Sequence, residues 1–85
     1  MSIHNRNTTN TKRKQYLLEM GNNIRVMRKR RGYSQEEFAD IAGFSRSYYT
    51  EIETGKRNIS VLNLIKILEA LKADSNEIIV TKKPE

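Results

Sequence analysis

The side chains best equipped for chemistry in this chain are its cations. Lys12, Arg13 and Lys14 form one cluster; Arg28, Lys29, Arg30 and Arg31 form another. Both lie within residues 1–31, which hold nine basic groups against the single acid Glu19. Residues 32–59 hold three basic and five acidic groups, and residues 60–85 hold four of each, so the net +6 is unevenly distributed. Clustered Lys and Arg attract polyanions, because neutralised phosphates release condensed counterions. The same clusters suit a solvated helix face or an anionic membrane surface, and charge alone leaves all three open. Catalysis finds no support. His4 has no partner ligand, and neither a Ser/His/Asp set nor a phosphate-cradling Gly loop is present. Glu36 and Glu37 are adjacent, so on a helix they project in different directions. Without Cys there is no disulfide and no Cys-ligated zinc. No metal and no cofactor are expected.

Length sets further limits. With 85 residues the chain supports one small domain, too short for a two-lobed enzyme. A secreted domain of this size usually needs covalent staples, so their absence points to a reducing, cytoplasmic setting. No apolar run approaches the ~18 residues of a membrane span, and the N-terminus lacks a signal-peptide core. No membrane partner is expected.

The groups must be positioned by helices. Residues 1–11, polar and rich in Asn and Thr, read as a tail, 12–80 as one domain and 81–85 as a second tail. From about Thr11 to Arg31, the apolar residues Leu17, Met20, Ile24 and Met27 recur at spacings of 3, 4 and 3, one face of a helix. Gly21 interrupts that face at about 1 kcal/mol relative to Ala, so a firm helix is expected only after it. Gly32 follows a basic last turn, suiting both C-cap and helix dipole. Ser34-Gln35-Glu36-Glu37 is a capping box, with Tyr33 and Phe38 as a hydrophobic staple. It opens a helix to Ala42 whose inner face is Phe38, Ala39, Ile41 and Ala42. Ser45 caps a second short helix, Arg46 to Thr54, with Tyr49 and Ile52 inward, and Gly55 stops it. Ser60 caps a fourth helix through Lys72, with Val61, Leu64, Ile67, Leu68 and Leu71 as core. Ser75 caps a last turn through Ile79. No segment alternates as a strand does, so the class is all-α with five helices. The two short helices joined by Gly43-Phe44-Ser45 have the layout of a helix-turn-helix, whose second helix lies in the DNA major groove. Ala39 and Ala42 let the two axes approach closely.

Met20–Lys72 resembles the lambda-repressor and Cro type of helix-turn-helix protein, the xenobiotic-response-element family. The resemblance rests on Met20-Gly21-Asn22-Asn23-Ile24-Arg25, Arg28, Gly32-Tyr33-Ser34-Gln35-Glu36-Glu37-Phe38-Ala39 and Ala42-Gly43. It continues through Ser45-Arg46-Ser47-Tyr48, Ile52-Glu53-Thr54-Gly55-Lys56-Arg57-Asn58 and Leu64-Ile65-Lys66-Ile67. Arg46-Ser47-Tyr48, and Ile52-Glu53 followed by Lys56-Arg57-Asn58, are also similar to the controller proteins of restriction–modification systems. The resemblance implies a five-helix lambda-repressor-like domain that binds duplex DNA as a homodimer on a palindromic operator, without catalysis. Two departures stand out. Tyr49 occupies a position where the family usually has Ile or Val, and Ile59 one where Pro is frequent.

Individual roles follow. Gln35 opens helix 2, where its side chain and the helix N-terminus would hold a phosphate; the alternative is a solvated capping-turn residue. Ser45 caps the recognition helix, and Arg46 and Ser47 open it. Arg46 could grip a guanine bidentately or hold a phosphate, and Ser47 could meet several base edges. Thr50 shares their face, for a thymine methyl or a phosphate. Glu51 could accept from a cytosine amine or orient Arg46. Tyr48 is assigned to the groove wall or DNA backbone, and Tyr49 to the core. Lys56, Arg57 and Asn58 form a loop expected to touch the DNA backbone. Arg28, despite its basic neighbours, is paired by the resemblance with Glu53 in a partly buried ion pair. Leu62 and Ile65 sit off the helix-4 core stripe, followed by Ile78, Ile79 and Val80. Extra core is one reading; an apolar patch pairing two subunits is preferred. The leading expectation is a sequence-specific dimeric DNA-binding transcriptional regulator. The alternatives are an antitoxin-like or adaptor protein whose main partner is another protein, or membrane attachment through residues 12–31.

Overall fold

Each joint in this chain carries a residue suited to stop one helix or start the next, and the helices follow those signals. The computed structural model describes residues 2–79, with side chains described from Thr11 to Ile79. It contains α1 (Ser2–Arg30), α2 (Gln35–Ala42), α3 (Arg46–Glu53), α4 (Val61–Leu71) and α5 (Ser75–Ile78), with no strand among the described residues. Val80 and the expected C-terminal tail lie outside the described residues.

Three serines start three helices. The Ser34 Oγ accepts from Glu37 N at 3.0 Å while the Glu37 carboxylate accepts from Ser34 N at 2.9 Å, completing the capping box. Ser45 and Ser60 cap α3 and α4 by accepting from Tyr48 N and Asn63 N. Gly43 ends α2 at φ +84°, a left-handed conformation that glycine adopts without steric cost. The last helix differs from expectation. Asp74, not Ser75, is its N-cap, and the Glu77 carboxylate accepts from Asp74 N at 2.9 Å.

α1 also differs. It begins at Ser2, ahead of the Thr11 boundary read from the sequence, and runs unbroken through Gly21. Once a helix is nucleated, each added residue gains a backbone hydrogen bond, and Gly21 is held by packing rather than propensity.

The core comprises Ile24 and Met27 from α1, Phe38, Ala39 and Ala42 from α2, Tyr49 and Ile52 from α3, Ile67 and Leu71 from α4, and Ile78. Leu64 and Leu68 pack partly buried against it. Two expected core residues are outside it. The inner face of α2 centres between Phe38, Ala39 and Ala42, which leaves Ile41 at its edge beside Lys66, Glu69 and Ala70, 52% exposed. Val61 is the first residue of α4, ahead of the turns that reach the core, and is 73% exposed. Two side chains, one in α1 and one just past its end, fasten the C-terminal half. The Asn23 amide donates to the Ile78 carbonyl at 2.9 Å, and Arg31 Nε donates to the Leu71 carbonyl at 2.9 Å. Arg31, read from charge as part of a basic cluster, thus caps the end of α4.

Candidate nucleic-acid interface

The helix-turn-helix is locked from beneath by a buried ion pair. Arg28 Nε donates to Glu53 Oε2 at 2.7 Å and Arg28 Nη2 to Glu53 Oε1 at 3.2 Å, a two-pronged contact between α1 and α3. Arg28 Nη1 donates to the Tyr33 carbonyl at 2.7 Å, tying in the approach to α2. The same carboxylate accepts from Gln35 Nε2 at 2.9 Å and from the Tyr49 hydroxyl. Arg28 and Glu53 are 5% and 6% exposed, and no buried side-chain polar atom among the described residues lacks a partner. Satisfaction of this kind is what makes a buried charge tolerable.

The titration of the cluster follows from its geometry. Burial pushes the Glu53 carboxyl up, but the hydrogen bonds from Arg28, Tyr49 and Gln35 together outweigh it and hold the carboxyl below the ordinary value. Burial and the bond to Glu53 raise the Tyr49 hydroxyl, which stays neutral. The hydrogen bond to Glu53 raises Arg28 further above an already high value.

The Tyr49 departure thereby acquires a reason. A branched aliphatic residue would only fill the core at this position, whereas Tyr49 fills it and donates to Glu53. Ile59, where the family often has Pro, anchors its loop by packing against the core instead.

Above this base lies the expected reading surface. Arg46 and Ser47 are exposed at the start of α3, and neither side chain is bonded to the rest of the described chain. Lys56 and Asn58 are exposed in the loop after α3. Other expected contacts are already engaged within the protein. Gln35 is half-buried, donating to Glu53 and accepting from Thr50 Oγ1 at 3.4 Å. The Ser45 hydroxyl serves as the α3 cap. Tyr48 is half-buried against the core, with Phe44 edge-on at 5.2 Å between ring centroids and Asn63 Nδ2 donating to its hydroxyl at 2.8 Å. Glu51 does not orient Arg46. Its Oε1 accepts from Arg57 Nε at 3.0 Å and Nη2 at 2.7 Å, because the loop after α3 folds back over the helix.

The expected apolar patch needs one correction. Ile78 is fully buried among the core residues of its own chain, held there by the Asn23 bond to its carbonyl, and so is no part of an exposed patch. Leu62 and Ile65 are exposed as expected, at 72% and 43%, and Val61 shares their face of α4. Ile79 is exposed beside a groove of about 540 Å³ also lined by Tyr16, Leu17, Ile59 and Leu64.

Sequence reasoning missed the role of Gly21. An added Cβ there would lie 2.4 Å from the Ile52 carbonyl oxygen and 2.6 Å from that of Glu53. The absent side chain therefore sets how closely α1 approaches the end of α3, two turns before Arg28. A glycine in a helical pattern with no capping duty was the available signal. No group of three or more His, Cys, Asp or Glu able to hold a metal occurs among the described residues. No helix among them is long and apolar enough to cross a membrane.

This arrangement has counterparts. A helix-turn-helix family profile matches residues 24–78. The control protein C.MunI of a Mycoplasma species is 40% identical over 62 residues, covering 72% of this chain and 84% of that protein. The uncharacterised helix-turn-helix transcriptional regulator y4dJ of Sinorhizobium fredii is 33% identical over 60 residues, covering 71% of this chain and 78% of its own. The crystal structure of the restriction–modification controller protein C.AhdI from Aeromonas hydrophila superposes with a TM-score of 0.74 at 35% identity. That match covers 78% of this chain and 96% of the controller.

Proposed function

The chain belongs to the helix-turn-helix family of transcription regulators, and from that premise we propose that it binds duplex DNA through α3 as a homodimer on a palindromic operator. We infer the role of a restriction–modification controller protein, acting in the cytoplasm by binding rather than turnover. The observation that carries this reading is the contrast between the two faces of α3. Tyr49, Ile52 and Glu53 are locked into the core, while Arg46 and Ser47 project unbonded from the first turn. A recognition helix needs that combination, since base contacts discriminate only when their scaffold is fixed.

Arg46 and Ser47 read base edges, and Ser45, Tyr48, Thr50 and Glu51 complete the recognition surface. Lys56 and Asn58 hold the backbone, together with the N–H groups at the start of α2 around Gln35. In a gel-shift titration against fragments selected from random DNA, binding should be specific and should weaken steeply with salt. Arg46→Ala should cost about 1–3 kcal/mol on the selected site while leaving the circular dichroism spectrum unchanged. Equal binding to every duplex would overturn specific recognition.

Dimerisation is supported by Val61, Leu62 and Ile65, which form an exposed apolar face on α4. A two-fold pair with its recognition helices about 34 Å apart meets half-sites one DNA turn apart. Sedimentation equilibrium at micromolar concentration should give a dimer that Leu62→Asp converts to a folded monomer. A wild-type protein that stays monomeric would remove this part of the reading.

A further inference from the structure

Glu51 is an acid on the helix expected to approach a polyanion. It lies one turn after Ser47, and its carboxylate is spent on Arg57 from the following loop. An ion pair as exposed as this one, 50% for the arginine and 41% for the glutamate, adds little to stability. We propose that Glu51 is a positioning residue which presents Arg57 to a guanine, making Arg57 a base reader rather than the backbone contact expected of its loop. The inference rests on the DNA-binding reading above and concerns what one loop residue does within it.

The geometry assigns each edge of the guanidinium. Nε and Nη2 both donate to Glu51 Oε1, at 3.0 and 2.7 Å, and this occupies the Nε–Nη2 edge. The neighbouring edge keeps parallel N–H donors on Nη1 and Nη2, the pattern that matches O6 and N7 of guanine. The guanidinium also packs on an aromatic ring. The guanidinium carbon lies 5.2 Å from the centroid of the Tyr48 ring, a cation–π contact. The ring in turn is held by the Asn63 amide on its hydroxyl and by the edge of Phe44. α3, the loop and α4 thus converge to orient one guanidinium before any ligand arrives. Ordering a long side chain in advance lowers the entropy lost on binding and favours a single acceptor geometry. The same fork also fits two phosphate oxygens, and a base reader is distinguished from a phosphate clamp by its effect on base preference rather than on salt dependence.

The test is a binding matrix. Wild type, Glu51→Ala, Glu51→Gln, Arg57→Lys and Arg46→Ala are titrated at two salt concentrations against every single-base-pair variant of the selected site. Glu51→Ala should lose about 5- to 100-fold discrimination at one G·C pair, the pair at which Arg57→Lys also loses it, with the salt slope unchanged. Glu51→Gln, which keeps an acceptor, should fall between. The proposal is overturned if Glu51→Ala tightens binding to all sequences alike, since Glu51 would then merely compete with phosphate for Arg57. It is also overturned if the Arg57 variant changes the salt slope and no base preference. If Arg46→Ala loses discrimination while Glu51→Ala does not, only this proposal fails. Wild-type protein without sequence preference overturns the reading beneath it too.

Discussion

Arg28→Ala lowers the unfolding free energy by about 3–5 kcal/mol at neutral pH, measured by urea denaturation. That is the cost of leaving one partner of a buried ion pair unmatched. Three contacts disappear together: both prongs to Glu53 and the bond to the Tyr33 carbonyl. The Glu53 carboxylate stays buried, its charge supported only by Gln35 and Tyr49. Against the typical 5–15 kcal/mol of a natural domain, such a loss is large. The pH dependence gives the assignment a second signature. In the wild type the Glu53 carboxyl titrates below its unfolded value. Its contribution is therefore present above the ordinary carboxylate range and is lost as pH falls through the folded value. In the variant the principal charge partner is gone and burial pushes the carboxyl up. Protonated Glu53 then suits the fold, and the penalty shrinks as pH falls through that raised value, starting above the ordinary carboxylate value of about 4. A variant of unchanged stability but weakened DNA binding would return Arg28 to the nucleic-acid surface and refute the structural assignment.

Gly21→Ala provides the second large effect, and here two physical arguments give opposite signs. Helix propensity alone favours alanine in a helix interior by about 1 kcal/mol. Packing forbids it, because the new methyl would sit 2.4 Å from the Ile52 carbonyl oxygen and 2.8 Å from the Glu53 carbonyl carbon. These are backbone atoms at the end of a packed helix, so no rotamer change relieves the clash and α1 must move away. Overpacking of this kind costs about 1–3 kcal/mol and occasionally more, so net destabilisation of about 2 kcal/mol is expected in thermal or urea unfolding. The displacement also stretches the Arg28–Glu53 contact two turns further along α1. Gly21→Ala combined with Arg28→Ala should accordingly cost less than the sum of the two. A stabilised Gly21→Ala would show that α1 lies farther from α3 than this structure places it.

Much of this protein is written in short-range sequence signals. Ser34, Ser45 and Ser60 start helices because a side-chain oxygen can satisfy an orphan backbone N–H within three residues. Gly43 turns the chain for an equally local reason, its positive φ. Those signals, with the spacing of Phe38, Ala39, Tyr49 and Ile52, are enough to expect the helix-turn-helix and the Arg46–Ser47 start of its reading helix. Contacts between segments distant in sequence were decided elsewhere. Arg31 reads as one more surface cation until Leu71, forty residues on, offers its carbonyl. Ile78 reads as surplus apolar surface until α1 closes over it, and Glu51 reads as a partner for Arg46 until the loop brings Arg57 back over the helix. The sequence by itself thus determined the helices, their caps and the polarity of the reading face, because each depends on neighbours within a turn or two. The tertiary structure alone decided that Arg31 is structural, that Val61 is uncovered while Ile78 is core, and why Gly21 has no side chain. Those outcomes depend on distances between helices that no local pattern encodes.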